Sequence, residues 1–417
     1  MSCNNPDKSG DIIEDNPDMP CDGYILLGPM NETETYLINN DGEIVHTWDS
    51  GSTLRSAFYL LDNGNLLRSE EPPDKIPSFG GNAGRVAEYS WDGEMVWHFD
   101  YYGSNYLSHH DIKKMPDGNV LIVAHDIKSE AEALEAGCDP DLIVNGKVFA
   151  DSVIEVDPST NEIVWEWHLW DHLVQDYDPE KDNFGVVSES PELVDLNFTK
   201  TENGTGIFPE TSHVNSIDYN EELDQIILSP SFFSEIWIID HSTTSAEAAG
   251  HSGGRGGRGG DLVLRWGNPE AYGRGNSDDK KLFFQHSVSW IRKGLPGEDN
   301  ILIFNNGDAD RPYSSVVELK LEPDVTGNYP LLDNGIYAPE EFFWEYTAEI
   351  PEEFYARGQS GAQRQPNGNT LIYVTTNYGH LFEVKQDGEI IWEYDSWIRS
   401  FRGERYPLDY PGVLINQ

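Results

Sequence analysis

One hydrophobic pattern recurs six times along the chain. Each copy is a turn with Gly or Asn, then two or three apolar residues, then a pair of large, mostly aromatic residues one position apart. Apolar and polar positions alternate with a period of two, which predicts a β-strand with the aromatic residues on one face. The copies are DGEIVHTWD (41–49), DGEMVWHFD (92–100), TNEIVWEWH (160–168), GGDLVLRWG (259–267), PEEFFWEYT (339–347) and DGEIIWEYD (387–395).

Two more patterns accompany this one. A turn followed by an apolar strand lies upstream of five copies: DNGNLLR (62–68), PDGNVLIV (116–123), LDQIILS (223–229), GEDNILIF (297–304) and PNGNTLIY (366–373). A short strand with an acidic residue lies between the two: VAEY (86–89), VIEV (153–156), SEIWIID (234–240), VVELK (316–320) and LFEV (381–384). One further strand-length segment precedes them, so each unit has four strands. Radially repeated four-stranded units form a propeller, whereas a β-sandwich or two stacked barrels would not need six matching units.

The N-terminal repeat is incomplete, because residues 23–49 supply only its strands two to four. We expect the missing first strand from residues 396–406, which would close the ring and remove a free sheet edge. The prediction is therefore an all-β fold: a six-bladed β-propeller with four antiparallel strands per blade, closed by N- and C-terminal strands in one blade. It forms a single domain over residues 22–417, after a flexible acidic segment over residues 1–21. Insertions occupy residues 171–209 and 242–260, and the glycine-rich second one is interpreted as a flexible surface loop.

The charge balance excludes some partners. The chain has 74 acidic and 27 basic residues, a net charge of −47. Nucleic acids and anionic membranes require cations on the protein surface, so neither is an expected partner. No run of 18 apolar residues predicts a transmembrane helix. A solvated acidic surface of this kind suits salty surroundings, where charge repulsion is screened.

The cysteines bear on localisation. Cys3, Cys21 and Cys138 contain no C-x-x-C pair, so a thiolate zinc site is not indicated. Cys3 stands before a polar, acidic stretch, as in the tether of a bacterial lipoprotein whose signal has been removed. We therefore expect a periplasmic, cell-surface or secreted protein, with lipid attachment at Cys3 as one form; a frayed cytoplasmic N-terminus is the alternative.

Histidines fall in the predicted first strands, which line the channel of a propeller. These segments are LRSAFYLL (54–61), SHHDIKKM (108–115), SHVNSIDY (212–219), QHSVSWIR (285–292), QSGAQRQ (359–365) and SFRGERY (400–406). Three successive ones carry His110 (with His109 beside it), His213 and His286; the other three offer Arg55, Ser360 and Arg402. We predict a functional site at one channel mouth. The alternative is a set of channel histidines that bond only water and backbone.

Imidazole chemistry allows several sites here. A histidine can act as acid, base, nucleophile or metal ligand, so three of them could hold zinc or copper. Alternatively, one could attack an electrophile while its neighbours protonate the leaving group. Asn215 projects from the same strand face as His213 and could donate a hydrogen bond to an oxyanion. Arg55 and Arg402 could add fixed positive charge.

At these residues the sequence resembles the bacterial arylsulfotransferase family, over roughly Asp22 to Gly412. The phrases that carry the resemblance are DGYILLGPMNETETYLINNDGEIVHTW, HHDIKKMPDGNVLI, HVNSIDYNEELDQIILS, QHSVSWI with NILIFNNGDADR, and SGAQRQPNGNTLI. The most specific are the His-x-Asn before a hairpin and the Gln-His ahead of the FNNG turn. The resemblance implies a six-bladed propeller that moves a sulfuryl group from a phenolic sulfate to a phenol, without the nucleotide donor PAPS, a cofactor or a metal.

The resemblance also implies roles for individual residues. The family's ping-pong mechanism passes through a sulfohistidine, and matching motifs make His286 the nucleophile. His213 and Asn215 would bind the sulfuryl oxygens, with His213 also an acid–base group. His110, or else His109, would be a further donor or proton shuttle.

One departure concerns the sulfate-binding arginine, which we would expect just after the His-x-Asn hairpin. The segment there, SPSFFSE (229–235), has none. The candidate replacements are Arg55, Arg311, Arg364 and Arg402, with Ser360 as a further substrate-binding candidate. Two alternatives follow: a non-catalytic, envelope-associated propeller that binds a ligand or protein, and a metal-dependent enzyme with His110, His213 and His286 as ligands.

Overall fold

The computed structural model describes residues 16–74, 80–198, 210–376 and 378–416. The predictions for Cys3, for most of the N-terminal segment and for the end of the first insertion lie outside these residues. Six sheets of four antiparallel strands make the protein a six-bladed β-propeller, as the repeats predict. Among the described residues, no helix has the length and apolar character to cross a membrane.

The strands follow one another along the chain with few helices. They are β1 (Tyr24–Leu27), β2 (Glu34–Ile38), β3 (Ile44–Asp49), β4 (Leu54–Leu60), β5 (Leu66–Glu70), β6 (Arg85–Tyr89), β7 (Met95–Asp100), β8 (Tyr106–Lys114), β9 (Val120–Ser129), β10 (Lys147–Asp157), β11 (Glu162–His168), β12 (Leu173–Val174), β13 (Val194–Asp195), β14 (Val214–Asn220), β15 (Gln225–Pro230), β16 (Ile236–Asp240), β17 (Leu264–Trp266), β18 (His286–Trp290), β19 (Ile301–Asn305), β20 (Ser315–Leu319), β21 (Trp344–Tyr346), β22 (Gly361–Arg364), β23 (Thr370–Thr375), β24 (Gly379–Val384), β25 (Ile390–Ser396) and β26 (Glu404–Tyr406). The short α-helices are α1 (Glu130–Glu135), α2 (Ser245–Ala248) and α3 (Pro411–Leu414). Single 3₁₀ turns occur at Pro140–Leu142, Leu169–Asp171, Val187–Glu189, Pro269–Tyr272, Ser277–Asp279 and Pro351–Glu353.

The six blades are β26-β1-β2-β3, β4–β7, β8–β11, β14–β17, β18–β21 and β22–β25. In the first of these, Tyr24 pairs with Tyr406 and Leu26 with Glu404, so the C-terminal strand completes the blade begun at the N-terminus. This confirms the predicted closure, although the closing strand is shorter than residues 396–406. The pair β12 and β13 forms a small parallel sheet inside the first insertion.

The glutamate of the third strand explains two of the sequence patterns. In four blades it accepts a hydrogen bond from the asparagine that directly precedes the second strand. The pairs are Asn65–Glu88 (2.6 Å), Asn119–Glu155 (2.5 Å), Asn300–Glu318 (2.6 Å) and Asn369–Glu383 (3.0 Å). Because a buried carboxylate is stable only when paired or hydrogen-bonded, the turn and the acidic strand are needed together.

Tryptophans in the fourth strands account for the aromatic pattern. Several of them donate the indole N–H to a backbone carbonyl outside their own sheet. Examples are Trp48 to Ser90 O (3.1 Å) and Trp344 to Gln386 O (2.9 Å). Burying the ring while satisfying its one donor is the usual arrangement for tryptophan, so these positions fasten blade to blade.

The chain divides into two compact units. One holds the described residues of Met1–Asp100, His286–Lys320 and Glu341–Gln417; the other holds those of Tyr101–Gln285 and Leu321–Glu340. We call them the first unit and the second unit. The candidate residues are described below unit by unit, and the extent of the single domain stays a prediction.

Candidate active site

The predicted histidines lie at irregularities of the first strands. Strands β8, β14 and β18 each carry a bulge against their partner, between Ser108 and Ile112, Val214 and Ile217, and His286 and Ser289. His110 (φ 49°) and His213 (φ 53°) adopt left-handed backbone conformations, which are costly for residues other than glycine. Bulges of this kind redirect side chains and concentrate at functional sites.

The bulges also refine the equivalence that the sequence suggests. His110 lies within its bulge, and His286 is the last paired residue before its bulge. His213 precedes β14 by one residue. The match between the three positions is therefore only approximate. His109, His110 and His213 come together in the second unit, and His286 belongs to the first unit.

In the second unit, four histidines and two carboxylates form one buried network. His109 Nδ1 lies 2.8 Å from His110 Nδ1, and its Nε2 lies 2.9 Å from Asp151 Oδ1. The ring of His109 stacks on that of His125, with centroids 3.6 Å apart. Asp151 also accepts from the hydroxyl of Ser212 and from the backbone N–H of Val214. The carboxylate thus holds both the histidine pair and the start of β14.

Glu210 connects this network to His213. Its Oε1 lies 3.2 Å from His125 Nε2, and its Oε2 lies 2.8 Å from His213 Nδ1. His213 in turn meets the ring of His110 edge-on at 4.5 Å and stacks on Phe232 at 4.6 Å. One face of the His213 ring is thus covered by an aromatic side chain, while a carboxylate fixes its Nδ1–H.

The network separates the proton affinities of its histidines. Burial, together with the neighbouring His125, lowers the pKa of His109 to about 4, although Asp151 opposes this. Burial and the adjacent His213 and His109 lower the pKa of His110 well below its ordinary value. Burial also acts on His213, but Glu210 outweighs it and raises the pKa of that histidine. Near neutral pH, His109 and His110 are therefore neutral, whereas His213 retains a proton more readily.

In the first unit, the tautomer of His286 is set by Asn306. The Asn306 amide nitrogen donates to two carbonyls, Ala356 O (2.8 Å) and Gln359 O (3.0 Å). Its Oδ1 must therefore face His286 Nδ1, at 2.9 Å. Since a carbonyl oxygen only accepts, Nδ1 carries the proton, and the lone pair of the neutral ring is on Nε2. This is the tautomer that a nucleophilic Nε2 requires.

Arg402, one of the predicted arginines, shares a neighbour with His286. Phe401 lies 6.4 Å from the His286 ring, and the Arg402 guanidinium lies over Phe401 at 5.6 Å and over Tyr59 at 4.8 Å. Its Nη2 donates to the hydroxyl of Tyr59. The backbone of Gly361 packs between Ser287 and Arg402, and a Cβ there would lie 2.7 Å from the Ser287 hydroxyl. Arg402 is thus a buried cation beside the His286 region.

The other three arginines have structural contacts. Arg55 donates to Asn82 O (2.9 Å) and to Asn31 Oδ1 (3.2 Å). Arg311 donates to Tyr313 O (2.8 Å) and Ser315 Oγ (2.8 Å). Arg364 forms a buried ion pair with Glu318 at 2.5 Å. Pairing with a buried carboxylate makes Arg364 part of the blade structure.

Asn215 and Ser360 lie behind the surface. Asn215 is fully buried, and its amide nitrogen donates to Gln285 O at 2.8 Å, on the residue before His286. Its Oδ1 is buried, and no donor among the described residues bonds to it. The Ser360 hydroxyl accepts from Thr375 N at 2.9 Å, and Ser360 has a φ of 76°. Asn215 therefore contacts the backbone of the residue before His286, and the N–H of Ser360 donates to Phe401 O (3.0 Å), on the residue before Arg402.

Sequence reasoning did not single out several members of these sites. His125 and Asp151 come from the second and third strands of a blade, and Glu210 precedes β14. Asn306 lies in the FNNG turn, which was noted only as a motif. The spacing of Glu210 and His213, three residues apart, was a usable signal; contacts between different strands leave none in a single sequence.

Comparison with known proteins assigns the family. The family model described as "Arylsulfotransferase (ASST)" matches residues 13–396. The chain belongs to the arylsulfotransferase family. Among curated proteins, none matches the sequence.

Solved structures show the fold alone. A protein of unknown function from Bacteroides caccae has 13% identity and a TM-score of 0.51, with 92% of this chain and 98% of that chain covered. A putative 6-phosphogluconolactonase from Bacteroides fragilis has 12% identity and a TM-score of 0.42, with the same coverage.

Membership of the arylsulfotransferase family does not favour the alternative prediction of a non-catalytic binding propeller.

Proposed function

We propose that this member of the arylsulfotransferase family transfers a sulfuryl group from a phenolic sulfate to a phenol through a sulfohistidine at His286. The observation that carries the proposal is the hydrogen-bond arrangement around Asn306. It holds His286 with Nδ1 protonated and Nε2 as the lone-pair nitrogen. A neutral imidazole presented in this way is a nucleophile that needs no metal or cofactor.

In the first half of the reaction, the Nε2 lone pair attacks the sulfur of the donor. The N–S bond forms as the S–O bond to the aryl group breaks, and its electron pair leaves on the phenolate oxygen. The phenolate takes a proton and departs as phenol. The His286 ring becomes cationic, which strengthens the hydrogen bond from Nδ1–H to Asn306 Oδ1.

In the second half, an acceptor phenol gives its proton to the group that protonated the phenolate. The phenol oxygen then attacks the same sulfur. The new O–S bond forms as the N–S bond breaks, and the electron pair returns to Nε2. Protons and charge are thus restored after each cycle. The proton given up by the acceptor replaces the one supplied to the donor's phenolate, so one acid–base group serves both halves.

The contacts of His213 support the acid–base role that the family resemblance gives it. The hydrogen bond to Glu210 raises the pKa of His213, so its ring holds a proton at higher pH than a free histidine. Such a group can supply a proton to a phenolate and recover one from a phenol. Neutral His110 and His109 remain candidates for a further donor or shuttle.

Arg402 is our choice for the cation that binds the sulfate group, in place of the arginine missing from residues 229–235. The protein has a net charge of −47, which repels an anionic donor. A guanidinium held between Tyr59 and Phe401 provides local positive charge with fixed orientation. Arg402 lies over the ring of Phe401, and that ring lies 6.4 Å from the ring of His286.

An assay with 4-nitrophenyl sulfate as donor and phenol as acceptor tests the proposal. Nitrophenolate release should depend on phenol, and initial rates at several fixed phenol concentrations should give parallel double-reciprocal lines. Intersecting lines would contradict the sulfohistidine intermediate. An absence of phenol-dependent release would contradict the transfer of a sulfuryl group to phenol.

A further inference from the structure

The glycine-rich insertion over residues 242–260 has no part in the proposed reaction, yet it helps to form a second histidine site. His172 follows the 3₁₀ turn Leu169–Asp171, His251 lies in the insertion, and Asp261 directly follows it. Asp261 Oδ1 lies 2.8 Å from Nδ1 of His172 and 2.8 Å from Nδ1 of His251. The three donor atoms all lie within 4.8 Å of one another.

The protonation of His172 is constrained by its other contact. Its Nε2 lies 2.8 Å from the carbonyl oxygen of Ala248, which can only accept a hydrogen bond. Nε2 therefore carries a proton, and a neutral ring directs the Nδ1 lone pair at the Asp261 carboxylate. The 2.8 Å contact therefore needs either a second proton on Nδ1 or a metal ion that both atoms bind. A carbonyl that fixes the far nitrogen of a histidine is also the usual outer partner of a metal-binding imidazole.

The glycines of the insertion allow this arrangement. A Cβ on Gly260 would lie 2.0 Å from Ala248 O and 2.6 Å from His172 Nε2, so no larger residue fits there. Trp167 donates to Gly260 O at 2.7 Å, and its ring stacks parallel to that of His172, with centroids 5.6 Å apart. The segment predicted to be a flexible loop is thus folded closely around a buried histidine.

We propose that His172, His251 and Asp261 bind one Zn²⁺ ion through Nδ1, Nδ1 and Oδ1. Two imidazoles and a carboxylate form a zinc-binding set, with water in the fourth position. Bond lengths of about 2.0–2.2 Å place tetrahedral donors about 3.3–3.5 Å apart, so each donor need move by less than about 1 Å. The His251 side chain is 62% exposed, which gives the ion a route from solvent. The ion would connect the second insertion to His172, which lies in the first insertion.

Zinc binding to the full-length protein, after removal of metals with a chelator, tests this site. Isothermal titration with zinc chloride should give one equivalent for the unaltered protein. The His251→Ala variant should bind at least about 100-fold more weakly, since even the loss of an outer partner costs 10–100-fold. Cobalt(II) should give the intense visible absorption of tetrahedral coordination, and this absorption should be lost in the variant.

The His380→Ala variant is the matched control. His380 is also partly exposed and bonded to a single carboxylate, Asp395, at 2.7 Å, so it should bind zinc like the unaltered protein. His251 is exposed, and circular dichroism should confirm that its replacement leaves the fold intact; Asp261→Asn is a second variant with the same expected loss. Failure of the unaltered protein to bind zinc, or unchanged binding in His251→Ala, would overturn the proposal. Neither result bears on sulfuryl transfer.

Discussion

His286 and His213 are both histidines at bulged first strands, but they have different hydrogen-bond partners. His286 Nδ1 faces the amide oxygen of Asn306, while His213 Nδ1 faces the carboxylate of Glu210. A neutral amide fixes the ring and stabilises its cationic form much less than a carboxylate does. A carboxylate fixes the ring and stabilises the imidazolium, which is the main reason that the pKa of His213 is raised despite its burial.

In the proposed mechanism, this difference gives the same residue type two roles. A nucleophile must keep a lone pair, so an amide partner suits it; an acid must hold a proton near neutral pH, so a carboxylate partner suits it. Each hydrogen-bond partner can be changed to the other chemical type. Asn306→Asp places a carboxylate beside His286, and Glu210→Gln places an amide beside His213.

Removal of the nucleophile should have the largest effect. We expect His286→Gln to lower kcat/KM for 4-nitrophenyl sulfate on the order of 10⁴-fold or more, because no other group can form the covalent intermediate. The assay is nitrophenolate release at saturating phenol. His380→Gln, on an exposed surface pair, should retain full activity. Residual activity above a tenth in His286→Gln would remove that residue from the chemistry.

Exchange of the amide should come next. In Asn306→Asp, a carboxylate faces His286 as Glu210 faces His213, so the ring is more often protonated. We expect kcat at pH 7 to fall about 10–100-fold and the acid limb of the pH–rate profile to move to higher pH. Thermal melting checks the cost of losing the bonds to Ala356 and Gln359. A lowered rate with an unmoved acid limb would show that Asn306 is only structural.

Loss of the buried cation should act on substrate binding. Arg402→Met keeps much of the side-chain volume between Tyr59 and Phe401 but removes the charge. We expect KM for the aryl sulfate to rise about tenfold to 100-fold, as for a lost charge-assisted hydrogen bond. Arg402→Lys should be less impaired. An equal KM in Arg402→Met and unaltered protein would exclude Arg402 as the sulfate-binding residue.

The reciprocal exchange, Glu210→Gln, should have a smaller effect that depends on pH. Without the carboxylate, burial lowers the pKa of His213, so its proton is lost at lower pH. The alkaline limb of the pH–rate profile should therefore move to lower pH, with near-normal rates at pH 6 and rates several-fold lower at pH 8. If the alkaline limb stays in place, His213 is not the acid–base group.

The buried neutral histidines should make stability depend on pH. His109 has a pKa of about 4 when folded and about 6.5 when unfolded, so the unfolded chain binds the extra proton first. Stability should fall as pH drops below 6.5, by roughly 2 kcal/mol from this group at pH 5. Urea melts of His109→Gln should show a shallower decline between pH 7 and pH 5. If the free energy of unfolding falls equally steeply with pH in the variant, groups other than His109 control the pH dependence of stability.

The sequence predicts repeats better than it predicts contacts. The six-bladed fold and its closure follow from local patterns, since each blade repeats the same turns, alternation and aromatic pair. The histidines at the first strands follow from the same scheme. Glu210, Asp151 and His125 do not, because their partners come from different strands and nothing in one sequence links them. The sequence predicts that the glycine-rich insertion is flexible, because glycine permits many conformations. In the structure, Gly260 instead allows one close approach, to Ala248 and His172.

The central claim is that His286 Nε2 carries the sulfuryl group. The protein should be mixed with 4-nitrophenyl sulfate in the absence of phenol, quenched at alkaline pH, digested and analysed by mass spectrometry. We predict an added mass of about 80 Da, that of SO₃, on the peptide containing His286, which disappears when phenol is added. The same adduct on another residue, or no adduct while phenol-dependent turnover continues, would contradict the account.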